Sequence, residues 1–286
     1  MPVHDELGIR MKEYYEQIPK TKLMRRTPVI IRIDGKAFHS FTRGFKRPFD
    51  DVLIDAMQST MKYLCENIQG CVLGYHQSDE ISLVLVDYQN LNSAAWFDYE
   101  VQKMCSIAAS MATMAFNKIF EEKCIEYSQV IPMTESGHEI MDIYSRAAKK
   151  GAMFDARCFN IPKEEITNYF YWRQLDATRN SIQMVGRANF SHKELHEKSC
   201  NQIQDMLMTQ KGINWNDFPI YQKRGSCCVK EKYSTVDLAI YTGKIDFVTR
   251  TRWVVDKEIP IFKAEEREYI DRLIYVDVDN YKYSKA

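Results

Sequence analysis

Two apolar runs in this chain end in acids. "VIIRIDG", residues 29–35, is a β-branched run that stops at Asp34 and Gly35. "GCVLGYHQSDEISLVL", residues 70–85, is two β-rich runs joined at a polar knot, Ser78, Asp79 and Glu80. Acids are depleted in strands, so a chain that keeps three at strand ends must supply a positive partner. The order of elements limits the fold further. Strand, helix, strand, strand, helix, strand and a long helix fill the first 190 residues, which is the split-βαβ order of a ferredoxin-like antiparallel sheet.

The helices follow from spacing and punctuation. Leu53, Met57, Met61, Leu64 and Ile68 recur at helical intervals, with Asp50 or Asp51 as N-cap. A second helix is predicted from about Ser93 to Phe120. A fourth strand, "GAMFDARCFNI", ends at Pro162, and the helix after it is expected to bend at Gly186. Packing of the helices on one face of the sheet fits this order. Beyond residue 190, "KELHEKSCNQIQDMLMTQKG" reads as one helix stopped at Gly212, "TRWVVDKEIPIF" as a strand and "REYIDRLIY" as a short helix. The expected division is residues 1–190 as a catalytic domain and 191–286 as a helical and β-containing C-terminal region.

Composition bounds the function. Lys plus Arg equals Asp plus Glu, at 39 each, so any polyanion partner must meet segregated rather than net charge. Eight cysteines without a C-x-x-C pair read as free thiols in a reducing compartment. No signal-peptide pattern opens the chain, and no apolar run approaches the ~20 residues that cross a bilayer. A cytoplasmic protein without a membrane partner is expected.

Asp34 at the end of one strand and Asp79 at the start of a neighbour would lie side by side. Two such carboxylates repel unless a proton or metal intervenes. Mg²⁺ takes carboxylate and carbonyl oxygens, and Gly35, lacking Cβ, lets the backbone approach an ion. A two-metal phosphoryl-transfer site has this composition. The competing reading is local: Asp-Gly as a turn and Asp-Glu as a polar hairpin loop. "GKAFHSFTRGFKRP" adds Lys36, His39, Arg43, Lys46 and Arg47 directly after the acidic strand end, where basic groups could hold a triphosphate. It has neither P-loop nor Rossmann glycine spacing. Phe38, Phe41 and Phe45 in it serve the core or a base.

"RIDGKAFHSF", "GYHQSDEISLVL", "VQKMCSIAASMATMAF", "FDARCFNIP", "NYFYWRQLDATRNSI", "FSHKELH" and "KGINWNDFPIYQKRG" resemble the tRNA-His guanylyltransferases and their bacterial relatives, the Thg1-like 3′-to-5′ polymerases. The resemblance implies an α+β, polymerase-palm catalytic domain with a C-terminal extension. It implies two Mg²⁺ ions on Asp34, the Gly35 carbonyl and Asp79, with Glu80 also required. It places nucleotide contacts at Lys36, Ala37, Phe38, His39 and Ser78, with Arg32, Lys46 and Arg47 nearby, and gives Lys103 a part in activating the 5′ end. The implied substrates are tRNA, ATP and GTP or another NTP, and the implied assembly is a homotetramer, a dimer of dimers. Thr178, Arg179, Asn180 and Ser181 stand where eukaryotic members carry His-Ile-Asn-Asn. That form resembles the bacterial relatives and implies templated repair of tRNA 5′ ends, with strict guanosine addition to histidine tRNA as the alternative. A palm-type nucleotidyl cyclase and a non-catalytic RNA-binding module are the rival classes.

Other polar groups have simpler expectations. His76 reads as hairpin packing or a nucleotide contact. Tyr169 and Trp172 read as core. His192 and His196 are four apart without a third ligand, which disfavours zinc. Lys223, Arg224, Lys230 and Lys232 form a basic run, either a solvated face or a contact for RNA backbone.

Overall fold

β-branched and aromatic residues alternate between two buried faces in the central strands, so both faces must be covered. The computed structural model describes residues 5–90, 92–132, 134–238 and 245–275. Its strands are β1 (Val29–Gly35), β2 (Cys71–Gln77), β3 (Glu80–Leu85), β4 (Phe154–Asn160), β5 (Ser226–Leu238) and β6 (Ile245–Asp256). They form one six-stranded sheet in the order β4-β1-β3-β2-β5-β6, antiparallel at every pairing. The first four strands have the ferredoxin-like order that the sequence predicts. β5 and β6 continue the same sheet from β2, across the boundary expected near residue 190.

The helices are α1 (Glu6–Met11), α2 (Phe38–Phe41), α3 (Asp51–Asn67), α4 (Val101–Ser128) and α5 (Glu135–Lys150), then α6 (Lys163–Asn189), α7 (His192–Leu195), α8 (Cys200–Lys211), α9 (Ile220–Arg224) and α10 (Glu268–Ile274). They cover both faces of the sheet, not one. Val29, Ile31 and Ile33 pack with α3, α4 and α5, in a cluster that includes Met57, Met61, Ala108, Ala112 and Phe116. Ile30, Tyr75 and Val84 point the other way, onto Ile166, Phe170 and Ile270 of α6 and α10. Period-2 alternation with both sets apolar requires this arrangement. Among the described residues no helix is long and apolar enough to cross a membrane.

Several boundaries differ from the sequence expectation for local reasons. α4 begins eight residues later than predicted, because residues 96–99 form a tight 3₁₀ turn with Phe97 and Asp98 at positive φ. α5 is an addition to the predicted elements; Thr134 caps it, and Lys149 and Lys150 sit in its last turn. α6 runs unbroken through Gly186, where a Cβ would come 2.8 Å from Ile203. The helix predicted after residue 190 is two helices, because Ser191 and Ser199 each build a capping box. Gly212 then ends α8 with φ 66°.

Asp50 ties the loop after β1 to two helices. Its carboxylate caps α3 by accepting from the Leu53 N–H at 3.0 Å, and it accepts from the Lys46 N–H and the Tyr144 hydroxyl at 3.0 and 2.8 Å. Asp50→Ala removes the cap and strands a buried phenol. It should cost about 2–3 kcal/mol, read as a lower urea midpoint at unchanged m-value. A midpoint within error of wild type would contradict the role assigned to this side chain.

Candidate active site

The β2–β3 hairpin is closed by Ser78 and Asp79. Ser78 takes φ 54°, the left-handed geometry that two-residue hairpin turns favour. The register then sets Glu80 opposite Asp34, and the Gly35 N–H donates to the Asp79 carbonyl at 3.1 Å. The end of β1 is thus stitched to the start of β3. A Cβ on Gly35 would sit 2.2 Å from the Phe38 ring, so any larger residue here would displace that ring from the core. Burial lifts the Asp79 carboxyl above its ordinary value, and the Asp34 charge pushes it the same way. Asp34 and Asp79 are therefore electrostatic neighbours, as the strand order predicts. Asp155 lies opposite Asp34 on β4, but its carboxylate pairs with Arg157 at 3.2 Å.

Glu80 has a different environment. It is buried, with Arg32 Nη2 at 2.6 Å and Arg173 Nη1 at 2.9 Å. Arg32 Nη2 also lies 3.7 Å from Asp34, and Arg173 Nη2 lies 3.4 Å from Asp176. Burial raises the Glu80 carboxyl, and Arg173 and Arg32 draw it back. The positive partner that the adjacent acids require is this pair of arginines, one from β1 and one from α6. Arg173 further stacks over Trp172, 3.6 Å from the ring centroid. A contact that close is a cation–π arrangement. Trp172 is 52% exposed and so is not core, whereas Tyr169 is buried with its hydroxyl 2.9 Å from Ser82 Oγ.

The remaining candidates separate into groups. Lys36, Ala37 and His39 are exposed directly after the acidic end. The Lys36 N–H donates to the Met153 carbonyl at 2.8 Å, and Ala37 takes φ 53°. Phe38 is core: its ring lies among Phe41, Phe116 and Phe154, so its side chain is not free to meet a base. Lys46 turns towards α4, onto the Tyr127 ring and hydroxyl. Arg47 faces a cavity bordered by α6 and α8.

Lys103 stands apart. It lies in the first turn of α4 over Phe97. The part of α4 that meets the acidic end is Thr113, whose Oγ1 accepts from the Phe154 N–H, and the two are about 15 Å apart along the helix. Within this chain Lys103 does not join the acidic cluster, because α4 runs the length of the sheet. Lys223 is buried beside Trp215, its ammonium donating to the Asn216 carbonyl at 2.5 Å. Burial lowers its pKa, and its position removes it from any RNA-binding face. His76 is also buried; its Nε2 is 2.9 Å from the Ser78 carbonyl, Nδ1 has no partner, and burial lowers the ring to about 4. It borders a small cavity with Ser78, Asn180 and Ser181.

A model of the tRNA(His) guanylyltransferase family, Thg1, matches residues 8–162, more than half of the chain. The chain belongs to this family. Its members include the tRNA(His) guanylyltransferase of Saccharomyces cerevisiae, 25% identical over 71% of this chain and 82% of that protein. The fold matches a bacterial Thg1-like protein solved with ATP, at 42% identity and TM-score 0.76, over 95% of this chain and all of that one. The same coverage, with 39% identity and TM-score 0.73, holds for a bacterial Thg1-like protein solved with GTP. This family member is a guanylyltransferase-type enzyme.

The donor set suits Mg²⁺ delivered with a nucleotide. Among the described residues no three His, Cys, Asp or Glu side chains converge, so there is no closed protein cage. Mg²⁺ ordinarily uses one or two carboxylates and completes its shell with water and substrate phosphate. The mutually repelling Asp34–Asp79 pair fits that pattern.

Sequence reasoning missed Arg173. The signal was present: Ile166, Tyr169, Phe170, Arg173, Gln174 and Ala177 share one buried stripe of α6, and an arginine on such a stripe must meet a buried acid. Arg173→Ala should cost about 3–5 kcal/mol by leaving Glu80 half-paired in the interior. Adding Glu80→Gln should restore part of the loss in urea titrations; no restoration would contradict the pairing. For Asp79 the folded protein holds the proton more tightly than the unfolded chain, so without metal the stability contribution falls as pH rises through its titration. Asp79→Asn should remove that fall. In EDTA, the variant should gain on wild type as pH rises above the ordinary carboxylate range; an unchanged difference would contradict a carboxyl raised by burial and by the Asp34 charge.

Proposed function

We propose that this enzyme adds nucleotides to the 5′ end of tRNA in the 3′-to-5′ direction, guided by the opposing strand. The observation that carries the reading is the Asp34–Asp79 pair, stitched by the Gly35 N–H and followed at once by exposed Lys36 and His39. In the first step an oxygen of the tRNA 5′-monophosphate attacks the α-phosphorus of ATP. The bond to the pyrophosphate breaks, and pyrophosphate leaves with its electron pair. The 3′-hydroxyl of an incoming GTP or templated NTP then attacks the 5′-phosphorus, and AMP leaves. A 5′-triphosphate substrate already carries a leaving group and bypasses the first step.

Asp34, the Gly35 carbonyl and Asp79 would hold two Mg²⁺, which when bound lower the attacking hydroxyl's pKa and offset charge on the phosphates. Lys36 and His39 are exposed directly after the acidic strand end, and their positive or hydrogen-bonding groups would fix the oxygens of a triphosphate held there. Arg32 bridges Glu80 and Asp34, and so holds the strand end in register while countering charge. Glu80 acts through these arginines as a positioning residue. The replacement of His-Ile-Asn-Asn by Thr178 to Ser181 supports selection by base pairing over reading of one tRNA.

The test supplies several tRNAs lacking one 5′ nucleotide, each with ATP and one NTP at a time. Addition of the nucleotide complementary to the opposing base, on more than one tRNA, is expected, and Asp34→Ala should lower it at least ~10³-fold. Guanosine addition to histidine tRNA alone, whatever base stands opposite, would establish the narrow guanylyltransferase reading. ATP cyclisation without transfer to RNA would establish the cyclase.

A further inference from the structure

We infer that the cavity where α6, α7 and α8 meet is a second contact for substrate RNA, a seat for backbone phosphates one to three nucleotides from the reacting end. The inference rests on the proposed tRNA substrate.

The cavity holds about 440 Å³. Its wall exists because the chain stops twice in quick succession: capping boxes at Ser191 and Ser199 set off the four-residue α7 between longer helices. Gly186 lets α8 close on α6, and Phe190 and Ile203 bury their side chains at the seam. These turns carry Arg187, His192 and Lys198 to one concavity, which Arg47 enters from the loop before α3. Three separate chain segments thus converge their basic groups.

Charge and partners single the place out. The whole chain has equal numbers of acidic and basic residues, yet this cavity has Glu197 as its one carboxylate. Glu197 lies 3.6 Å from His196, and Arg187 reaches only the neutral Gln183 amide, at 3.4 Å. Among the described residues Arg47, Arg187 and Lys198 have no carboxylate partner. Uncompensated cations gathered in a concavity focus potential on an anion.

The anion is RNA rather than a nucleoside triphosphate. A triphosphate comes with Mg²⁺, which needs the paired carboxylates found at Asp34 and Asp79 and missing here. Backbone phosphates carry single charges and need only spaced cations. Position agrees. Asn180 and Ser181 of α6 border the small cavity beside Ser78, and Gln183 and Arg187 of the same helix border this one. From Asn180 to Arg187 is roughly 10 Å along the axis, or about three nucleotide steps at ~3.4 Å. Backbone contact carries little sequence information, which suits an enzyme that accepts several tRNAs.

The full-length double variant Arg187→Ala/Lys198→Ala tests this. Its affinity for a 5′-truncated tRNA, by fluorescence anisotropy over a KCl series, should fall about tenfold. The slope of log affinity against log salt should flatten by roughly 0.7–0.9 for each phosphate that no longer meets a cation. Affinity for a fluorescent ATP analogue and the thermal midpoint should stay at wild type, and Arg187→Lys/Lys198→Arg should retain tRNA binding. Unchanged tRNA affinity and slope, with wild type binding tRNA normally, would overturn the inference while leaving the function standing. Weakened ATP binding with tRNA binding intact would make the cavity a triphosphate site and overturn it. Wild-type protein that binds no tRNA would instead overturn the function, and this inference with it.

Discussion

Glu80 is fixed at the end of the sheet by two guanidinium groups from elements far apart in the chain. Arg32 belongs to β1, and Arg173 to α6, which packs across the sheet face. A lone buried carboxylate would be costly, and so would two lone arginines; together they are tolerated. The clamp lets three acids share one strand end. It pairs Glu80 with both guanidinium groups and leaves Asp34 and Asp79 as electrostatic neighbours, with Arg32 acting on each. A divalent cation held between them would relieve their repulsion.

The palm-like half of the fold was legible because its signals are local and mutually consistent. β-branched runs, a capped amphipathic helix and a two-residue hairpin turn fix β1, α3, β2 and β3 in sequence order, and the antiparallel order follows from topology. The neighbourhood of Asp34 and Asp79 followed from that order alone. The second covered face was legible too, since Ile30 and Val84 are as apolar as Ile31 and Leu83. It was misjudged because alternation of two apolar sets looks like a continuous run.

What the sequence concealed depends on distance through space. Lys103 lies on α4, and only the threading of α4 past β4 shows that it stands at the far end from the acids. Lys223 looks like part of a surface basic run, and Trp215 covers it. Phe38 lies within the segment to which the resemblance assigns nucleotide contacts, and it belongs to the aromatic core. The double serine caps are plain in "FSHKELHEKSCNQ", yet a short helix between two stops is easily merged with its neighbour, and with it the basic cavity goes unseen.

In the proposed function Asp34 and Asp79 are the carboxylates that would receive metal-bound nucleotide. Counting Mn²⁺ bound per chain by electron paramagnetic resonance, with a non-hydrolysable ATP analogue present, tests this directly. Two ions per wild-type chain, falling to one or none in Asp79→Asn with the fold intact, is the predicted result. An equal count in wild type and variant would contradict it.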